Sequence, residues 1–431
     1  MRASIVALFL FASLGMAQTV APPAYAIVQG ASGNGTAQFS VQVTSGEQLR
    51  FAVKLGGGGG ALAPQHEERI AHAGSDQELI RLTFVGLPVG VDHQLIVIRD
   101  KKYADMRTFS VPDWTAAKGR IAILSCMTDG HPDQQRMWRE LLSLKPDALF
   151  IIGDSAYCDV VGNRLVRAIT PELIWRRHAE TRQTLELYRA SRLVPVFSIW
   201  DDHDYGLNDA GREFVHKRAS AAIFRAYLPQ APIDGFLEGG PGVSAAFTLF
   251  GQRWMLLDGR TFRSPNRREV PDETLFGVRQ EAWVADALRQ KAPIWLVTGA
   301  QMFNGYHRFE SYEACQPNSF KKFQEILRAG KAPFALVTGD RHLAEVSKLT
   351  VAECGCDTFE ITTSAFHART FPNAWSKVPN PRQVVGVSGK LNYAVLDVIK
   401  DAAALRGTLT VYGSGKAKLF EHEVNVKRSG G

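Results

Sequence analysis

The chain has 431 residues, too many for one ordinary domain, and its 45% hydrophobic and 22% charged content excludes a disordered or fibrous polypeptide. A formal net charge of +7 favours anionic partners only through long-range attraction, and no specific nucleic-acid-binding motif accompanies it. After the first residues no segment approaches the ~20 apolar residues that span a bilayer.

Residues 1–26 read as a general-secretory signal peptide. Met1-Arg2 is a short basic start and residues 5–14 form the apolar stretch. Gly15-Met16-Ala17 and Ala24-Tyr25-Ala26 both satisfy the small-x-small rule for cleavage. One arginine before the apolar run excludes a twin-arginine signal. The expectation is an exported soluble protein, periplasmic or secreted.

Residues 27–112 carry alternating or short apolar runs, such as 37–43 and 94–98, separated by turn signals and without helical period. They predict a small antiparallel β-sandwich. The glycines at 56–60 make a loop between strands; they lack the Lys-Ser/Thr that a phosphate-cradling loop needs.

From 113 to 431 strands alternate with helices, predicting an α/β domain. Apolar runs at 121–124, 148–152, 195–199 and 334–338 are the core strands. Asp133 is placed to cap a helix with Met137, Trp138, Leu141 and Leu142 on its apolar face, stopped by Pro146. A second helix starts near Pro317, buries Phe320, Phe323 and Leu327, and ends at Gly330. Strand-like runs at 359–363, 393–399 and 408–412 complete the sheet.

The four core strands end in Ser125-Cys126, Gly153-Asp154, Trp200-Asp201-Asp202-His203-Asp204 and Gly339-Asp340-Arg341-His342. Gly-Asp after a single strand is ordinarily a turn. Repeated at four tips, polar groups at the ends of buried strands call for compensating cations, because ligands of open α/β sheets sit outside the carboxyl ends of the strands. Asp154, Asp202, Asp340 and His342 make a metal-ligand set; carboxylates bridge cations and histidine holds a transition metal. Asp340 and His342 stand two residues apart, and Asp154 and Tyr157 three apart, spacings that let each pair point one way.

This motif series resembles that of the PhoD-like alkaline phosphatases of the metallophosphoesterase superfamily, as do Leu257-Asp258-Gly259-Arg260 and Asn392-Tyr393. The likeness covers roughly residues 110–420. It implies a metallophosphoesterase-type β-sheet sandwich flanked by helices, preceded by a small all-β Ig/fibronectin-III-like domain. It further implies Fe3+ and Ca2+, with other divalent metals as alternatives. Cys126, Asp154, Tyr157 and His342 would hold iron, with Asp154 bridging and Asp202 and Asp340 binding calcium. Thiolate and phenolate suit iron, and carboxylate oxygens suit calcium. His203 would contact the phosphate and assist the leaving group, with Arg260 and Arg341 as further phosphate contacts. Asp201 and Asp204 are left as supporting or turn residues.

The implied activity is hydrolysis of phosphate mono- or diesters by metal-activated water. No Gly-x-Ser-x-Gly elbow supports a serine hydrolase, and Gly413-Ser414-Gly415-Lys416 lacks P-loop spacing. A phospholipase-like phosphodiesterase and a catalytically inactive cell-surface binding protein are the alternatives. Gln301 and Asn304 fall where other metallophosphoesterases offer a further histidine, an expected difference in the metal shell. The odd count of five cysteines leaves one unpaired, with Cys126 the candidate and Cys158, Cys315, Cys354 and Cys356 open to disulfides of undetermined pairing.

Overall fold

The computed structural model describes residues 23–428 except 163, 267–269, 306–309 and 373–378. The apolar stretch at 5–14 and the cleavage point after Ala17 lie outside the described residues. Ala24 and Tyr25 belong to the folded body: their amides donate to Asp105 Oδ2 at 2.8 and 2.9 Å, and the Tyr25 hydroxyl donates to Glu47 at 2.6 Å. No described helix is long and apolar enough to cross a membrane.

Among the described residues, the amino-terminal strands form two four-stranded antiparallel sheets. Alternate apolar side chains of both enclose one core, in which Phe39 packs edge-on against Phe109 at 4.9 Å. The glycine run lies between the strands Arg50–Lys54 and Ala61–Leu62.

The rest is mixed α/β, built on a six-stranded and an eight-stranded sheet. In the first, Lys118–Leu124, Ala148–Ile152 and Val196–Ile199 run parallel, and Tyr393–Ile399 adds an antiparallel strand beside Lys118–Leu124. In the second, Gln252–Leu256, Ile294–Val297, Phe334–Thr338 and Thr358–Thr363 run parallel. Parallel strands bury both faces, which is why these segments are continuous apolar runs. Phe150 meets Trp254 at 4.8 Å and Phe197 meets Phe247 at 4.2 Å between the two sheets.

Period-two alternation divides the second sheet's side chains. Trp254, Trp295 and Ala335 face the first sheet, whereas Met255, Leu296 and Leu336 pack under the helices Val278–Arg289 and Pro317–Ala329. The helix Gln134–Ser143 buries Met137, Trp138 and Leu141. Asp133 stands at its N-cap position without capping it: the carboxylate pairs with Arg136 at 2.8 Å.

Side chains tie the amino-terminal sheets to the larger unit. Gln38 Nε2 donates to Ala231 O at 2.8 Å, Trp114 Nε1 to Ser32 O at 2.8 Å, and the buried Arg182 to Ser40 O and Oγ and to Tyr227 O. All five cysteines are buried and no disulfide joins any two of them; Cys158, Cys354 and Cys356 lie in apolar cores, where a thiol acts as a small hydrophobe.

His178, on the helix Pro171–Thr184, is buried and stacks on Tyr227 with ring centroids 5.0 Å apart. Burial first, then the nearby Arg182 and Arg177 charges, push its pKa down to about 3. The unfolded chain takes up that proton near pH 6.5 and the folded chain only near 3, so this residue costs stability as pH falls between those values. His178→Phe keeps the stacked ring and removes the titration. Relative to wild type, the variant should gain about 2–3 kcal/mol between pH 7.5 and 4.5 in urea unfolding. A wild-type-to-variant difference that does not change with pH would refute this account.

Candidate metal centre

The strand tips converge, and backbone bonds join them. Cys126 N donates to Gly153 O, Met127 N to Asp154 O at 3.0 Å, Cys158 N to His203 O at 3.1 Å, and Gly339 N to Gly299 O at 2.7 Å. Four expected ligands have left-handed backbone: Cys126 at φ +60°, Asp154 at +55°, Asp340 at +65° and His342 at +53°. Each non-glycine residue held there costs of order 1–3 kcal/mol, a cost typical of functional sites. The turn after Ala148–Ile152 needs Gly153: its φ is +104° and a Cβ would come within 2.6 Å of the Asp201 Cβ. Gly299 is crowded by the same Asp201 Cβ.

Ligand atoms of Cys126, Asp154 and His342 lie within 4.8 Å of one another, and so do those of Asp154, Asp202 and His203. Asp154 belongs to both groups. Cys126 Sγ lies 3.3 Å from Asp154 Oδ2 and 3.1 Å from Ser364 Oγ, while the Tyr157 hydroxyl lies 3.5 Å from Asp154 Oδ2. Asp340 joins neither group. Its Oδ2, with Asp154 Oδ1 and Asp201 Oδ2, is buried without a hydrogen-bond partner. Orphaned carboxylate oxygens beside thiol, phenol and imidazole fit cation ligation.

Electrostatics points the same way. Burial, then the Cys126 charge, lifts Asp154 well above the carboxylate range; burial lifts Cys126 to about 11 and raises Tyr157 well above its ordinary value. Burial lifts Asp340 to about 7 against the pull of Arg341. These groups resist ionisation in this environment, and cations would make their charged forms favourable.

Both histidines have one ring nitrogen held. His203 Nδ1 lies 2.6 Å from Asp159 Oδ1, and its ring packs on Tyr157 at 4.1 Å. Burial alone would lower its pKa, but the Asp202, Asp154 and Asp159 carboxylates outweigh it and raise it well above the ordinary value. His342 Nδ1 is bonded to Arg369 O, and burial lowers its pKa, which favours the neutral ring that ligates metals. In each ring that leaves Nε2 as the nitrogen available to a cation or a substrate. Asp202 is oriented by backbone donors, His203 N at 2.9 Å and Asp209 N at 2.8 Å.

Arg260 departs from its expected role as a phosphate contact. It is fully buried, its Nε donates to Asp201 Oδ1, and its two terminal nitrogens reach Glu310 at 3.0 and 2.9 Å. Three carboxylate contacts consume the fork, so Arg260 positions Asp201, whose neighbour Asp202 lies 3.9 Å from Nη2. Arg263 pairs with Glu310 as well, and Asn266 donates to it at 2.7 Å. Together they hold Glu310 far below the usual carboxylate range despite burial. Arg341 stands nearer the centre, 3.8 Å from Asp340 Oδ2, with Nη1 3.4 Å from Glu310 O.

Asp204 accepts from Ser155 Oγ, Ala156 N and Asp201 N, and so clamps two tips together. Asp258 accepts from Trp200 Nε1 at 2.8 Å and from the amides of Val243, Arg260 and Thr261, which makes it structural. Gln301 turns away from the centre to donate to Glu345 at 2.8 Å. Asn392 braces the turn that carries Ser364, its Oδ1 accepting from Ser364 N at 3.2 Å. Sequence reasoning missed Glu310, Asp159 and Ser364. Asp159 had a signal, since it lies in the polar run after Ala148–Ile152; Glu310 and Ser364 lie in no motif.

Residues 121–397 match the family described as PhoD-like phosphatase. Alkaline phosphatase D of Bacillus subtilis (strain 168) is 24% identical over 311 residues, 62% of this chain and 52% of that protein. The chain thus spans about half the length of the curated relative it matches. Solved structures align loosely: TT1561 of Thermus thermophilus at TM-score 0.30 and 9% identity, over 57% of this chain and 89% of that one. A cyclomaltodextrinase aligns at TM-score 0.18 and 8% identity, over 72% and 58%.

Removing Glu310 would leave the buried Arg263 without its carboxylate and Arg260 with Asp201 as its remaining close partner. Glu310→Ala should therefore destabilise the protein by about 3–5 kcal/mol in urea unfolding at neutral pH. A loss below about 1 kcal/mol would show that the network contributes little.

Proposed function

The chain belongs to the PhoD-like phosphatases, a family of phosphoric ester hydrolases, and from that premise we propose that it is an exported, metal-dependent phosphoesterase acting on phosphate mono- or diesters. The observation that carries this reading is the sharing of Asp154 between two groups of ligand atoms, one with Cys126 and His342, the other with Asp202 and His203. Cys126, Asp154, Tyr157 and His342 would hold iron(III), and Asp154, Asp202 and Asp340 would hold calcium. Bound there, the cations supply the positive charge that orients a phosphate ester and lowers the pKa of water.

The protein's own groups do the rest. His203, its Nδ1 held by Asp159, presents Nε2 to the phosphate and delivers a proton to the departing oxygen. Arg341 contacts the phosphate, and Arg260 keeps Asp201 in place behind Asp202. We read the two facing sheets of residues 113–431 as the metallophosphoesterase-type sandwich, and residues 27–112 as an Ig/fibronectin-III-like module. Export rests on the signal-like residues 1–26.

Purified protein should contain iron and calcium by elemental analysis. It should hydrolyse aryl phosphate monoesters or diesters, lose activity on chelation and regain it when both metals return. A stripped protein that stays inactive after both are restored would sink the reading. His203→Asn should lower kcat/KM about 10²–10⁴-fold for alkyl esters, whose leaving oxygen needs a proton, and far less for p-nitrophenyl esters. Equal losses on both substrates would rule out proton delivery by His203.

A further inference from the structure

The segment from Ala368 to Pro372 does two things at once. Its Arg369 carbonyl accepts from Nδ1 of His342, an expected metal ligand, and so fixes that ring. Two residues on, Phe371 lies against that imidazole, with ring centroids 5.5 Å apart and planes tilted by 32°. Phe371 is nevertheless 45% exposed. The guanidinium of Arg369, itself exposed, stands 5.4 Å from the centre of the phenyl ring. The end of the segment is held in place, since Pro372 packs so closely on Gly389 that a Cβ there would come within 2.9 Å of the Pro372 Cα.

A scattered exposed aromatic needs no explanation, but this one adjoins an expected metal ligand at the mouth of the centre. An ester substituent leaving a phosphate on the His342 side would meet this phenyl ring. The phenyl face there offers stacking and apolar contact, and the adjacent guanidinium favours electron-rich rings.

From this placement we infer that Phe371 is a specificity-determining residue that stacks on the leaving group, so that the enzyme prefers phosphate esters of aryl or other flat aromatic alcohols over those of small alkyl alcohols. The inference rests on the phosphoesterase reading above. Arg369 assists by holding the phenyl ring in position and adding positive charge at the rim.

The test uses the full metal-loaded chain, wild type and Phe371→Ala, with two readouts. One is kcat/KM for phenyl phosphate against glycerol phosphate. The other is calorimetric binding of two compounds that are not hydrolysed, phenylphosphonate and methylphosphonate. Phe371→Ala should lower kcat/KM for phenyl phosphate and affinity for phenylphosphonate about tenfold each, mainly through KM. The alkyl compounds should change less than about twofold, and Phe371→Tyr should restore the aryl preference.

Equal losses for aryl and alkyl compounds would overturn the inference, because they would mean that Phe371 only supports His342. No loss for either would overturn it too. Failure of the phosphoesterase reading shows differently: wild type would hydrolyse neither ester and bind neither phosphonate, and the inference would fall with it.

Discussion

Buried negative charge is the constraint on which the rest of this structure depends. Asp154, Asp201, Asp202 and Asp340 come together at the ends of apolar strands, with the buried Glu310 packed near them, where an uncompensated carboxylate costs several kcal/mol. The protein answers with cations of two kinds. On one flank Arg260 and Arg263, built into the fold, neutralise Glu310 and Asp201. Toward the other flank one oxygen each of Asp154, Asp201 and Asp340 is buried without a hydrogen-bond partner, and Arg341 stands 3.8 Å from that of Asp340. Cys126, Tyr157 and His342 gather beside Asp154 on that second flank, whereas the two arginines hold the first.

Holding such a cluster requires a rigid frame. Parallel strands deliver the tips to one edge, and the aromatic layer between the two sheets, with Phe150, Phe197, Phe247 and Trp254, keeps the strands in register. Backbone bonds from tip to tip and the clamping carboxylate of Asp204 then remove the remaining freedom. Left-handed backbone at four of the six candidate ligands persists only because the surrounding sheet over-determines it. The amino-terminal sheets reinforce the side near Tyr227, through Arg182 and the glutamines Gln38 and Gln42.

The two histidines follow one rule by different means. The Asp202, Asp154 and Asp159 carboxylates draw His203 toward its charged form, whereas burial draws His342 toward its neutral form against the opposing pull of the Arg369 carbonyl. That difference matches a division between proton delivery and metal ligation.

Much of the centre was legible in the sequence because its signals are local. An apolar run that stops at Gly-Asp or Asp-Asp-His marks a buried strand and its tip within a dozen residues, and helices such as Gln134–Ser143 and Pro317–Ala329 announce themselves by period and prolines. Sequence by itself therefore determined the strand tips, the ligand types and the family they resemble. The pairing of Arg260 with Glu310, fifty residues away, was decided only by tertiary structure, as was the burial of Cys158, Cys354 and Cys356 in apolar cores without a disulfide. The reason is physical: periodicity records which face of an element is buried, whereas the partner of a buried charge depends on which distant segments the packing of the sheets brings within a few ångströms.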